Sequence, residues 1–111
     1  WKYLTMDKTA RIIVLVSMSG KRLKGNLASY SMSKFALMSL CQTMRNEGWN
    51  QGIRVTAICP GWVNTEMAKG INYFPKEDMT QSNDIANICS NLLELPNSSV
   101  PFEIAINCQL E

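Results

Sequence analysis

Hydrophobic residues along this chain fall into two kinds of pattern: short continuous runs and longer stretches with helical spacing. Residues 11–16 and 53–59 are short apolar runs rich in β-branched side chains, and residues 102–107 form a third, so each run predicts a buried strand. Residues 28–50 and 80–95 repeat their apolar positions at the spacing of a helix. Strands that alternate with helices indicate right-handed crossovers, so we expect an α/β fold with a parallel sheet of about three strands.

The ends of the two helices are marked by residues that cap or stop helices. The first helix is expected to stop near Gly52. Either Thr80 or Ser82 is a suitable N-cap for the second helix, which should reach Leu95. Residues 1–6 are expected to be the tail of a further helix.

The first helix carries apolar residues around most of its circumference. One stripe at helical spacing is expected to face the sheet: Tyr30, Lys34, Leu37, Cys41 and Met44. Much of the remaining surface is also apolar, through Met32, Phe35, Ala36, Met38 and Leu40. A helix that is apolar on most sides needs a second burial partner besides the sheet.

Composition limits the classes of function. A chain of 111 residues with 46% hydrophobic residues is expected to form one small domain. The net charge of +2 comes from scattered residues, so neither nucleic-acid binding nor membrane attachment is expected. A basic cluster at Lys21, Arg22 and Lys24 is interpreted as a solvated loop, with a contact to an anionic substrate as the alternative.

The cysteines indicate neither a metal site nor a disulfide framework. Cys41, Cys59, Cys89 and Cys108 are widely spaced, no C-x-x-C pair is present, and the chain contains no histidine, so no metal is expected. Each cysteine lies in an apolar segment, which is typical of a free, buried thiol and favours a cytoplasmic, reducing compartment. The apolar stretches are too short to span a bilayer.

Candidate chemistry lies at the first strand and the first helix. Tyr30 and Lys34 are four residues apart on one helix face, so the ammonium can approach the phenol and favour its charged form. Ser17 follows the strand at 11–16 and can present its hydroxyl to the same carbonyl oxygen that Tyr30 protonates. The three side chains together predict a site for acid/base chemistry on a carbonyl or an alcohol.

Three linked motifs give the chain a family resemblance: Ser17-Met18-Ser19-Gly20, Tyr30-Ser31-Met32-Ser33-Lys34 and Pro60-Gly61-Trp62-Val63-Asn64-Thr65. In type, order and spacing they resemble the C-terminal half of the short-chain dehydrogenase/reductase family, from Arg11 to about Ile106. The resemblance implies a partial Rossmann-type, doubly wound parallel sheet. It also implies an oxidoreductase that transfers a hydride between NAD or NADP and a carbonyl/alcohol pair.

The resemblance also implies roles for individual residues. Ser17 would polarise the substrate carbonyl, Tyr30 would be the acid/base, and Lys34 would bind the nicotinamide ribose beside Tyr30. A fourth catalytic residue of the family, an asparagine, would lie upstream of Trp1. The nicotinamide would be approached by Pro60 and Gly61 and held through its carboxamide by Val63 and Thr65.

The connection over 62–79 is unusually apolar, through Trp62, Met67, Ile71, Tyr73, Phe74 and Met79. Long connections of this kind are often lids or binding loops. In the family this region determines substrate specificity, so we expect a hydrophobic substrate that contacts Ser17, Trp62 and Met67. The alternative is ordinary packing over a sheet edge. The family also implies a homo-oligomer through the helix at 28–50, with cover by an upstream half of the same chain as the alternative.

The glycine-rich strand–turn–helix that normally holds a dinucleotide pyrophosphate is missing from this sequence. We therefore expect residues 1–111 to be the C-terminal half of a single Rossmann-type reductase domain, inactive alone, with an open edge at the first strand. A non-catalytic module for cofactor binding or protein interaction is the alternative. The sequence distinguishes neither NAD from NADP nor one substrate from another.

Overall fold

A computed structural model describes residues 1–6, 8–21, 27–70, 72, 75–109 and 111. Within them the strands are β1 (Arg11–Leu15), β2 (Arg54–Pro60) and β3 (Glu103–Ile106), and the α-helices are α1 (Ala28–Gly48) and α2 (Ser82–Glu94). Short 3-10 turns occur at Met18–Gly20, Trp49–Gln51, Glu66–Ala68 and Lys76–Asp78. The predicted alternation of strands and helices is confirmed.

The strands form one parallel sheet in the order β1-β2-β3. Arg11 is paired with Arg54 at the amino end of β1, and Leu15 with Ile58 at its carboxyl end. Continuous apolar runs gave strands because both faces of this sheet are covered by helices. The α/β, Rossmann-type fold class is therefore correct, and β1 is the edge strand of the described sheet, as expected.

Two clusters of apolar side chains lie on opposite faces of the sheet. On one face, α1 packs through Cys41, Leu37 and Met44 against buried residues of β2. On the other face, α2 packs through Ile85 and Leu92 against Ile58, which is fully buried. The predicted stripe of α1 is thus correct for its apolar members, but Met38 belongs to the same core, although it was assigned to the outer surface.

The outer surface of α1 carries exposed apolar side chains. Met32 is 72% exposed, and Phe35 and Leu40 are also open to solvent. This agrees with the expectation of a helix that is apolar on more than one side.

The end of α1 follows the predicted glycine signal. After the 3-10 turn at Trp49–Gln51, Gly52 adopts a left-handed conformation with φ of 81°. A Cβ atom on Gly52 would lie 2.0 Å from the Lys8 carbonyl oxygen, so glycine is required there for both reasons.

Two local predictions are wrong. The N-cap of α2 is Gln81, whose side chain forms a reciprocal capping box with Asp84. Thr80 is used differently, because its backbone pairs with Val63 in an isolated parallel bridge, which leaves Ser82 as the first helical residue. Residues 1–6 form turns rather than a helix, and the chain bends at Lys8, where φ is 55°.

The amino end of the sheet is held by side chains that bind backbone carbonyls. Arg11 donates to the carbonyls of Leu95, Pro96 and Ser99, where α2 has ended. Arg54 donates to Asn97, Trp49 and Ile53, and its guanidinium lies 4.0 Å from the centre of the Trp49 ring. The Asn97 amide donates to the carbonyls of Lys8 and Gly52. These bonds join both strands to the segment that follows α2.

Candidate functional site

A cleft of about 880 Å³ opens at the carboxyl ends of β1 and β2. Most of its lining is apolar, and the described residues around it are Leu15, Val16, Ser17, Met18, Ser19, Leu27, Tyr30, Pro60, Gly61, Trp62, Val63, Thr65, Met67, Ala68, Ser82, Ile85 and Glu111. Ligands of open α/β sheets bind at this end of the strands. The cleft is therefore the candidate functional site.

Ser17 enters the cleft directly after β1. The Val16 N–H donates to the Ile58 carbonyl at 2.8 Å, which continues the pairing with β2 up to the serine. Ser17 then caps the 3-10 turn Met18–Gly20, and its Oγ accepts from the Ser19 N–H at 3.0 Å. The hydroxyl is thus fixed by the turn while its proton remains available for a further acceptor.

Tyr30 and Lys34 lie on successive turns of α1, on the same side of the helix. Tyr30 lines the cleft together with Ser17. The Lys34 Nζ is 5.6 Å from the centre of the Tyr30 ring and donates to the Leu15 carbonyl at 3.5 Å. Lys34 itself is not among the described lining residues, so it contacts the Tyr30 ring without reaching the cleft surface.

The loop after β2 forms the opposite wall. Gly61 donates to the Ile106 carbonyl at 2.8 Å, and the Trp62 carbonyl accepts from the Thr80 N–H at 3.1 Å. Because Val63 also pairs with Thr80, the loop is fixed to the start of α2. Thr65 begins the 3-10 turn Glu66–Ala68 without using its side chain as a cap.

The structure brings eight of the nine predicted site residues to the cleft surface: Ser17, Tyr30, Pro60, Gly61, Trp62, Val63, Thr65 and Met67. Met67 is 82% exposed, so an apolar ligand would find it uncovered. Predictions for Arg22, Lys24, Ile71, Tyr73 and Phe74 fall outside the described residues. Lys21, the remaining member of the basic cluster, pairs with Glu103.

Glu111 was missed by the sequence analysis. Its Oε2 accepts from the backbone N–H of Trp62 at 3.3 Å and of Cys108 at 3.5 Å. A Cβ atom added to Gly61 would lie 1.5 Å from that oxygen, so the carboxylate rests directly on the glycine. Among the described lining residues Glu111 is the single acidic or basic side chain. Its position after β3 was the available signal, because parallel strands end at the same edge.

Cys59 lies beneath the site. Burial raises the pKa of its thiol, while a hydrogen bond from the Ser17 backbone and the nearby Lys21 charge act in the opposite direction. Burial likewise raises the pKa of Cys41. Both thiols are therefore protonated and unreactive near neutral pH. The four cysteines are free, which agrees with the prediction of reduced thiols.

Two further classes of feature are not found in the described part of the chain. No three His, Cys, Asp or Glu side chains there are grouped so that they could hold a metal ion. None of its helices combines the length and apolar character needed to cross a membrane.

A parallel sheet covered by helices, with a cleft at the carboxyl ends of its strands, is the architecture of Rossmann-type proteins. A family model described as short chain dehydrogenase matches residues 1–76. The chain therefore belongs to the short-chain dehydrogenase/reductase family, as its three motifs indicated.

Individual relatives agree with this assignment. The chain is 37% identical over 109 residues to agropine synthesis reductase of Rhizobium rhizogenes, covering 98% of this chain and 25% of that protein. A β-ketoacyl-[ACP] reductase structure from Bacteroides thetaiotaomicron matches 98% of this chain and 44% of its own, with 33% identity and a TM-score of 0.79. A 4-hydroxyisoleucine dehydrogenase complexed with NADH matches 96% and 49%, with 26% identity and a TM-score of 0.78. The chain thus spans between a quarter and a half of the length of these proteins.

Proposed function

We propose that residues 1–111 are the C-terminal half of a Rossmann-type reductase domain, and that the whole protein transfers a hydride between NAD or NADP and a carbonyl/alcohol substrate. One observation carries the proposal: Ser17 and Tyr30 come from separate elements and line the same apolar cleft, with the Lys34 ammonium beside the Tyr30 ring. This is the arrangement that acid/base chemistry on one oxygen atom requires.

The residues of this chain divide the work on the substrate oxygen. Ser17 donates a hydrogen bond to the carbonyl oxygen, and Tyr30 donates the proton in the reducing direction and accepts it in the oxidising direction. Lys34 keeps a positive charge near the phenol, so the negative charge that develops on Tyr30 is stabilised. The apolar lining strengthens each of these interactions, because charges and dipoles interact more strongly in a less polar environment.

The loop after β2 fits one end of a nicotinamide cofactor. The Thr65 hydroxyl is not used as a cap, and Lys34 can reach a ribose hydroxyl after leaving the Leu15 carbonyl. The Glu111 carboxylate that lies on Gly61 would have to move aside for the nicotinamide. Pro60, Gly61, Val63 and Thr65 would hold the nicotinamide and its carboxamide. When bound, the nicotinamide supplies or accepts the hydride.

The substrate is expected to be hydrophobic, because the outer part of the cleft presents Trp62, Met67 and Leu27. Trp62 and Met67 are the proposed substrate contacts, together with the Ser17 hydroxyl. Of Trp62, Met67 and Leu27, Met67 has the largest exposed fraction, which a substrate can cover.

The decisive experiment uses the full-length protein and a panel of apolar ketones and their alcohols. Oxidation of NADH or NADPH is followed by absorbance. Tyr30→Phe should lower kcat by about a hundredfold or more while leaving cofactor affinity nearly unchanged, because only the proton donor is lost. Tyr3→Phe is the matched control, since Tyr3 is exposed and does not line the cleft. Full turnover by Tyr30→Phe would show that the catalytic assignment is wrong.

The 111-residue chain alone should give little heat when titrated with NADPH, because the proposal places the pyrophosphate site in another segment. Tight binding by this chain would contradict the division of the domain.

The free edge of β1 should also make the isolated chain self-associate, and a stable monomer in sedimentation would argue against that.

The whole protein is further proposed to form a homo-oligomer through α1. The support is the exposed apolar surface formed by Met32, Phe35 and Leu40. Met32→Glu should dissociate the oligomer in sedimentation, whereas Ser90→Glu, at an exposed position of α2, should leave it intact. An unchanged oligomer in Met32→Glu would place the interface elsewhere.

A reducing, cytoplasmic compartment remains our prediction, and the free thiols support it.

A further inference from the structure

Gly20 occupies a space that no other residue can fill. It is the last residue of the 3-10 turn Met18–Gly20 and is buried against α1. A Cβ atom at this position would lie 2.8 Å from the Lys34 carbonyl oxygen and 2.8 Å from the Val16 Cγ1. Both distances are well inside van der Waals contact, so only the hydrogen of glycine fits between the turn and the helix.

Neither neighbour of Gly20 can move away easily. The Lys34 carbonyl belongs to the backbone of the second turn of a helix of 21 residues, and Val16 is 4% exposed in the main core. Interiors are close-packed and transmit such strain rather than absorbing it. A side chain at position 20 would therefore push the turn away from α1.

The turn is coupled to Ser17 at two points. The Gly20 N–H donates to the Ser17 carbonyl, and the Ser19 N–H donates to the Ser17 Oγ, each at 3.0 Å. A displacement of the turn therefore moves the serine hydroxyl. Tyr30 stays in place, because it belongs to the helix against which the turn is pushed.

We propose that Gly20 is a positioning residue: it sets the separation between Ser17 and Tyr30 by letting the turn lie directly on the helical turn of Lys34. The inference rests on the proposed function, since it needs Ser17 and Tyr30 to act on the same substrate oxygen. Gly20 contacts neither substrate nor cofactor in this proposal. It acts only through the place that it gives to Ser17.

The test compares two glycine-to-alanine variants of the full-length protein. Gly20→Ala should lower kcat by about tenfold, because a displacement of less than 1 Å already weakens a catalytic contact. The KM for NADH or NADPH should stay within about twofold, since the loop at 60–65 is not touched. An unchanged kcat would overturn the proposal.

Gly48→Ala is the control. At Gly48 a Cβ atom would lie 2.7 Å from the Ile53 Cβ, a comparable clash at the far end of α1. Gly48→Ala should lower the melting temperature but leave kcat unchanged. A loss of kcat in Gly48→Ala equal to that in Gly20→Ala would show that general destabilisation explains both, which also overturns the proposal.

A double-mutant cycle separates positioning from simple destabilisation. If Gly20 acts through Ser17, Gly20→Ala should have little further effect on kcat in a Ser17→Ala background. Additive losses would overturn the inference.

If Gly20→Ala prevents folding, the double variant Val16→Ala/Gly20→Ala takes its place and is compared with Val16→Ala alone. The shorter side chain at position 16 removes one of the two clashes. If Tyr30→Phe retains full activity, the proposed function itself has failed, which is a different result from an active, Tyr30-dependent enzyme that is insensitive to Gly20.

Discussion

The two ends of the sheet are built from different kinds of interaction. At the amino end, Arg11, Arg54 and Asn97 each donate to at least two backbone carbonyls. At the carboxyl end, the strands run into a large apolar cleft in which Ser17 and Tyr30 face open space. One end joins the elements together, and the other leaves polar groups available to a ligand.

The contrast between the two ends allows effects on stability to be separated from effects on function in this chain. Hydrogen bonds from a charged donor to backbone carbonyls contribute more to the free energy of folding than neutral ones, so the arginines at the amino end stabilise the fold. A catalytic hydroxyl must keep a hydrogen-bonding position free, so the carboxyl end contributes less stability than its polar content suggests. Substitutions at the carboxyl end should therefore lower kcat more than stability, and substitutions at the amino end should lower the free energy of unfolding more than kcat.

The largest expected effect is on catalysis at the carboxyl end. Ser17→Ala should lower kcat by about a hundredfold, because one donor to the developing oxyanion is lost. The free energy of unfolding should fall by about 1 kcal/mol at most, since the hydroxyl also caps the turn that follows it. Steady-state kinetics and urea denaturation measure the two quantities. Ser90→Ala, at an exposed position of α2, is the control that should change neither. A fully active Ser17→Ala would remove the serine from the proposed chemistry.

The second effect is on stability at the amino end. Arg54→Ala should lower the free energy of unfolding by about 2 kcal/mol, because charged hydrogen bonds to carbonyls and the contact with the Trp49 ring are lost. Turnover at saturating substrate should stay close to that of the wild type. Arg54→Lys should recover only part of the loss, since an ammonium cannot reproduce the planar guanidinium fork. A large loss of kcat in Arg54→Ala with an unchanged free energy of unfolding would contradict the assignment of a stabilising role to the amino end.

The smallest effect concerns the ion pair formed by Lys21 and Glu103, which lies between the amino and carboxyl ends of the sheet. The hydrogen bond to Glu103 raises the pKa of Lys21 above its ordinary value of 10.5. The pair therefore stabilises the fold fully below about pH 10, and this stabilisation is lost as pH rises through the raised pKa. Side-chain exposures of 32% and 36% keep the contribution to about 0.5 kcal/mol. Glu103→Gln should lose that amount at pH 8, and the difference from the wild type should vanish in strong alkali or at high salt. A difference that persists under both conditions would mean that Glu103 acts through another contact.

The sequence predicted the strands to within a residue or two because their apolar runs leave few alternatives. Residues 11–16, for example, became Arg11–Leu15, and Val16 continues the pairing through its N–H. The start of α1 at Ala28 and the break at Gly52 were also correct. These features follow from local propensity and from the backbone freedom of glycine, and both depend only on residues close together in the sequence.

What the sequence could not predict depends on contacts between distant segments. Thr80 is a better intrinsic N-cap than Gln81, but its backbone is paired with Val63, so the cap moved by one residue. Met38 joined the core because the sheet covers a wider part of α1 than one stripe. The position of Glu111 over Gly61 is of the same kind, since it depends on where the chain goes after β3. The cleft residues themselves were found from motif order, whereas their proximity needed the fold.

The hydrogen bonds of Asn97 have a consequence for chemical modification. Asn97-Ser98-Ser99 satisfies the acceptor pattern for N-linked glycosylation, and the nitrogen that would carry the sugar is the one that donates to the carbonyls of Lys8 and Gly52. A glycan on this nitrogen would remove one of its two protons and force bulk into the junction between two segments. A glycan at Asn97 should therefore weaken this junction, so a glycan found here by mass spectrometry would mark molecules in which at most one of these two hydrogen bonds is kept.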